Sequence, residues 1–193
     1  MASNLVPFVI FFRRTLGLII RPYATMRSIS IEEGWSDILW IGGVSVIYFF
    51  ISNMVRFWIN GFVGAIGLYL MSIIFFSFLP SRGTIKEKFL RMIKTWSYTL
   101  LPTIIWFYST LFFYFILPPP RTISVWGRAF SIFYIAFSVS LLVWKIILVY
   151  FSIRFSLRVH LYRVIYYMLI YLALSIPLWL FLYRIGISRI PFV

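Results

Sequence analysis

Cysteine is absent from the chain, so no disulfide, thiol nucleophile or cysteine metal site can form, and the redox compartment is left open. Acid is nearly as scarce: Glu32, Glu33, Asp37 and Glu87 are the only carboxylates, and His160 is the only histidine. A lone histidine among cations makes no metal site, and with the acids so distant in sequence it does not readily complete a Ser-His-Asp arrangement. Neither a phosphate loop of the Walker type nor a dinucleotide fingerprint occurs. Charged residues of all kinds reach only 11%, against about 25% in soluble domains. These gaps leave little for catalysis, and the expectation is a non-enzymatic protein without metal or cofactor.

What replaces charge is hydrocarbon. Apolar residues make up 63% and aromatics 22%, with a mean hydropathy of +0.99. Soluble domains hold roughly 45 to 50% apolar residues, so an integral membrane protein is expected. The 193 residues leave room for several spans of about 20 residues and little else. The net charge of +14 would suggest nucleic acid in a soluble protein. No separate soluble segment exists to carry such a patch, so nucleic acid is set aside and anionic lipid headgroups are the expected counter-charge.

Taken in order, Leu5 to Ile20 is apolar but carries Arg13 and Arg14 in its middle. Each would cost about 2.5 to 3.5 kcal/mol at a bilayer centre, so a half-inserted surface helix is expected, ended by Arg21 and Pro22. It is not read as a secretory signal, because the charges follow an apolar run and no small-residue cleavage site appears. Arg21 to Asp37 forms a polar approach, which closes an N-terminal cytoplasmic segment, 1–37. Five spans are then expected: Ile38–Phe57, Gly61–Leu79, Thr99–Leu117, Ala129–Ile153 and Val164–Tyr183. The turn of the first hairpin is placed at Asn60 and Gly61, and Pro118, Pro119 and Pro120 stop the third span. Pro102 falls in the first turn of that span, where a missing N–H costs least, and Pro177 lies inside the fifth. The expected architecture is an all-α polytopic transmembrane helix bundle over 38–183, with amphipathic surface helices and a short external tail, 184–193.

The stretch Arg82 to Phe107 organises the rest. Thr84 and Glu87 have capping-box spacing, which starts a helix. At 100° per residue, Ile85, Phe89, Leu90, Met92, Ile93 and Trp96 fall on one side, with Lys88, Arg91 and Lys94 opposite and Lys86 at the edge. Such a helix should lie in a membrane surface, each cation near an anionic leaflet gaining about 1 kcal/mol. With the N-terminus cytoplasmic, the cytoplasmic segments hold twelve cations and the opposite side five, as the positive-inside rule requires. The candidate lipid- or partner-binding face is therefore Arg14, Lys86, Lys88, Arg91 and Lys94.

Within the spans the one deep ionisable group is Lys145, about 13 Å from Arg154 by helix rise. It reads either as a buried cation awaiting an anionic ligand or carbonyl cluster, or as a lysine that snorkels or hydrogen-bonds a neighbouring helix. Serines and threonines such as Ser109, Thr110, Ser138, Ser140 and Ser175 read as interhelical glue. Trp58, Trp96, Tyr98, Trp126, Tyr162 and Tyr183 read as interfacial anchors. Glu32, Glu33 and Asp37 read as salt-bridge partners for the abundant cations, with cation binding as the alternative.

Three places resemble the Ypt-interacting-protein (Yip) domain family of five-span membrane proteins. They are Ile20-Arg21-Pro22-Tyr23-Ala24-Thr25-Met26 with Ile29; Gly83 to Lys94 followed by Trp96, Ser97, Tyr98, Leu101 and Pro102; and Trp144 to Ser156. The resemblance covers roughly 20–183 and implies a cytoplasmic N-terminus, five helices and an outward C-terminus. It is closest to short prokaryotic members, which implies a prokaryotic cell membrane. The long hydrophilic N-terminal region of the Rab-associated eukaryotic members is lacking. The functional expectation is a membrane-organising, membrane-shaping or trafficking-type adaptor acting through its basic cytoplasmic face, with anionic lipids, a membrane-protein partner or a second copy as associates. The alternative is a small-solute or lipid transporter with a site near Lys145.

Overall fold

A computed structural model of the chain describes residues 5–32, 34–56, 59–116 and 124–184. Every regular element among these residues is a helix: α1 (Leu5–Ile20), α2 (Pro22–Ile31), α3 (Ser36–Arg56), α4 (Ile59–Phe78), α5 (Ile85–Tyr98), α6 (Leu101–Ile116), α7 (Val125–Leu157) and α8 (Leu161–Arg184). Val125–Leu157 and Leu161–Leu178 are long and apolar enough to cross a membrane, while Ile38–Ile51 and Gly64–Phe78 are shorter apolar stretches. The expectations for Glu33, Trp58, Pro118–Pro120, Arg121 and the tail beyond Arg184 lie outside the described residues.

Each of the five apolar runs falls in its own helix, with two local differences. Asn60 and Gly61, expected as a turn, lie in the first turn of α4. The polar approach after Arg21 is itself helical as α2. Pro22 stands at its N-terminus, where a fixed φ is already helical, and Met26 and Ile29, three residues apart on one face, are buried. α1 and α2 meet at Gly17, where an added Cβ would lie 2.6 Å from Thr25 Oγ1 and force that side chain to shift. Along α1, Phe8, Phe12, Leu16 and Ile19 form an exposed apolar stripe, while Leu18 is buried.

The core lies toward one end of the bundle, around α5. One cluster joins Ile73 and Phe76 of α4, Met92 and Trp96 of α5, Ile153 and Leu157 of α7, and Val164 and Tyr167 of α8. A second joins Leu18, Met26, Ile29, Ile41, Tyr98, Leu101, Ile104 and Leu148, and so ties α1 and α2 to the ends of α3, α6 and α7. α7, at 33 residues, is about 50 Å long and exceeds a hydrocarbon core of about 30 Å. Its final turns reach past the apolar section to pack on α2 and α5. The periodicity of α5 leads one to expect a helix lying on a surface. Instead α5 is packed against α2, α3, α4 and α7, because both of its faces find partners.

Candidate functional site

Two features carry the unusual chemistry of the chain: a cationic end and a cavity holding Lys145. The cationic end is assembled around the start of α5. Thr84 accepts a hydrogen bond from the Glu87 N–H at 3.3 Å and so caps the helix, and Gly83 supplies the positive φ of 104° that brings the chain into it. The Tyr167 hydroxyl donates to the Pro80 carbonyl at 2.6 Å, which holds the loop before α5 against α8. Arg154 donates to the Tyr150 hydroxyl at 3.0 Å and sits 5.6 Å from the Tyr23 ring centre, joining α7 to α2. Arg158 ends α7 in the left-handed region, φ 51° and ψ 45°, a conformation that costs a non-glycine residue about 1 to 2 kcal/mol.

Of the five cations expected on the open face, Lys86 is exposed. The others are drawn inward. Lys88 is 5% exposed and donates to the Leu79 carbonyl at 3.0 Å, satisfying the C-terminal end of α4. Lys94 is 9% exposed, donates to the Glu32 carbonyl at 2.7 Å and lies 4.9 Å from the Trp35 ring centre. Arg91 pairs with Glu87 at 3.0 Å, and Arg14 pairs with Glu32, which also accepts from Ser28. Periodicity marks these residues as one face but does not reveal that neighbouring helices end against it. Other cations left exposed nearby include Arg27, Arg82, Arg158 and Arg163. All four stand in the segments that the positive-inside tally makes cytoplasmic.

Lys145 lines a cavity of about 340 Å³ walled by α3, α4, α5, α6, α7 and α8. Its side chain makes no hydrogen bond or ion pair among the described residues, so no interhelical bond accounts for it there. The wall is mostly apolar. Two hydroxyl pairs interrupt it, Tyr69 with Ser97 at 2.6 Å and Ser72 with Tyr171 at 2.8 Å. Thr103 Oγ1, also on the wall, is buried without a hydrogen-bond partner. Gly42, Val46 and Ile66 line the cavity yet are themselves exposed, which places its opening between α3 and α4. The hydroxyl pairs escape sequence reasoning because their members come from three helices, α4, α5 and α8. The one available signal is Ser97, inside the Trp96-Ser97-Tyr98 motif.

A separate hydroxyl cluster closes the α5–α7 contact: Thr95 Oγ1 lies 2.8 Å from Ser152 Oγ and 2.6 Å from Ser156 Oγ, all fully buried. Among the described residues no group of three His, Asp or Glu side chains comes together to hold a metal. Compared with known proteins, the chain matches no family, no curated protein and no solved structure.

Proposed function

We propose that this is a five-span membrane protein of Yip-like organisation, with α3, α4, α6, α7 and α8 crossing the bilayer and the cationic end in the cytoplasm. It acts without catalysis, as a membrane-organising or adaptor protein whose basic cytoplasmic face holds anionic lipid or a membrane-protein partner. The observation that carries this reading is the set of exposed cations at that end, Arg27, Arg82, Lys86, Arg158 and Arg163. Glu32 and Glu87 beside them are already engaged, Glu32 by Arg14 and Glu87 by Arg91. Unneutralised charge at a leaflet attracts anionic headgroups at about 1 kcal/mol per cation. The apolar stripe of α1, with Arg13 exposed beside it, suits a helix sunk into the same leaflet. Lys88 and Lys94 contribute to this face by ordering it rather than by meeting lipid.

The test is lipid retention measured by native mass spectrometry from nanodiscs of graded anionic content. Wild-type protein should retain anionic lipid preferentially, and replacement of Arg82, Lys86, Arg158 and Arg163 by Gln should erase the preference. Equal retention by wild type and variant would sink the lipid part of the proposal. The absence of native cysteine makes the orientation testable as well. An impermeant thiol reagent added outside should label Ser124→Cys and not His160→Cys. A transport reading has one observation in its favour, the cavity around Lys145.

A further inference from the structure

We infer that the Lys145 cavity is a binding site for a single-chain lipid with an anionic head, a carboxylate or a phosphate, entering sideways between α3 and α4. The inference uses the membrane reading only for the route of entry and is independent of the role of the basic face.

The first argument is charge. From Ile38 onward, α3, α4, α6, α7 and α8 carry no Asp or Glu, so these walls supply Lys145 with no counter-ion. A cation in an apolar wall requires an anion or a set of oxygens, and among the described residues neither reaches it. The hydroxyls on the wall include the Tyr69–Ser97 and Ser72–Tyr171 pairs, Ser45 and Thr99, which donate to the Ile41 and Trp96 carbonyls, and the unpartnered Thr103. A carboxylate or phosphate held at this wall would supply Lys145 with the counter-charge it lacks.

Shape restricts what bears the anion. The α3 wall runs from Ile38 to Phe49, about 16 Å by helix rise, along the direction in which acyl chains lie. Toward the Phe49 end the lining becomes aromatic, with Tyr48 and Phe107 stacked at 4.5 Å. The volume, about 340 Å³, is near the lower end of the roughly 300 to 1,000 Å³ of small-molecule sites, which suits one chain and not two. The mouth at Gly42, Val46 and Ile66 is apolar and lies on the outer surface of the bundle. A free polar anion would have no reason to approach by that route, whereas a lipid tail is already there.

The experiment measures binding of radiolabelled palmitate, hexadecyl phosphate and methyl palmitate to the purified full chain in a non-ionic detergent. Wild type should bind both acids saturably and the methyl ester about tenfold more weakly or worse, the loss expected when a charged hydrogen bond is removed. Lys145→Met should lose the preference for acid over ester, and Lys145→Arg should keep it. Gly42→Trp, at a position where an added Cβ meets open space, should weaken all three ligands by obstructing the mouth. Equal binding of acid and ester by wild type, an undiminished preference in Lys145→Met, or displacement of palmitate by millimolar acetate or inorganic phosphate would each overturn the inference. Lys145→Met should leave the retention of anionic lipid by the basic face unchanged, so either proposal can fail while the other stands.

Discussion

α7 passes through two environments. From Leu148 to Leu157 it is wedged among α2, α5 and α8, with Leu148, Ser152, Ile153, Ser156 and Leu157 buried completely. Between Ile132 and Val143 the same helix leaves Ile132, Phe133, Ile135, Val139, Leu142 and Val143 half or more exposed, or close to it. The exposed part is no less apolar than the buried part. The difference lies in what surrounds them: at the basic end α2, α5 and the start of α8 close over α7, while the other section faces outward. On the proposed membrane reading, apolar surface facing lipid has no hydrophobic reason to be covered, so helices associate where small residues and hydroxyls let them pack and bond. Thr95, Ser152 and Ser156 do this at the packed end.

The comparison breaks most visibly with an aromatic deletion at each end. Phe76 is fully buried, 5.2 Å from the Trp96 ring and 5.0 Å from that of Tyr171. Phe76→Ala should cost about 3 to 5 kcal/mol in unfolding from detergent, and Phe133→Ala, 66% exposed, less than about 0.5. Similar losses at the two sites would mean that the outward section is covered by another chain.

Lys88→Met tests whether the packed end uses its cations internally. Leaving the Leu79 carbonyl without its donor should cost about 1 to 3 kcal/mol, whereas Lys86→Met should leave stability unchanged in the same melt. A smaller effect, about 1 kcal/mol, is expected for Thr95→Val, which removes the hydroxyl shared by Ser152 and Ser156. Ser140→Ala, whose hydroxyl bonds only its own helix at Ala136 and is exposed, provides the contrast and should be silent. A further small change in stability belongs to Arg158→Gly. Relief of the left-handed φ is largely offset by the entropy of glycine, leaving less than about 1 kcal/mol, while retention of anionic lipid should fall with the lost cation.

Much of the helical layout was legible from composition and caps. The run from Ile38 and the Thr84 cap appear in the structure where periodicity and capping chemistry put them, since both signals are local. α2 was missed because Met26 and Ile29 look like isolated apolar residues in a polar stretch until α5 and α7 pack on them. The site was less legible. Lys145 was visible as the one ionisable group deep in an apolar run, but the cavity around it draws on six helices and has no sequence signature.

The sequence by itself determined the helical class, the concentration of cations in a few short segments and the lack of carboxylates near Lys145. These depend on residue type and local spacing alone. Only the tertiary structure decided which cations remain outside. Lys88 and Lys94 share a helix with Lys86, yet the first two are buried because the end of α4 and the Glu32 carbonyl come within reach of their amines. Packing likewise decided that Lys145 faces a cavity instead of a partner, because that depends on how far apart α3 and α4 stand and not on any residue's own preference.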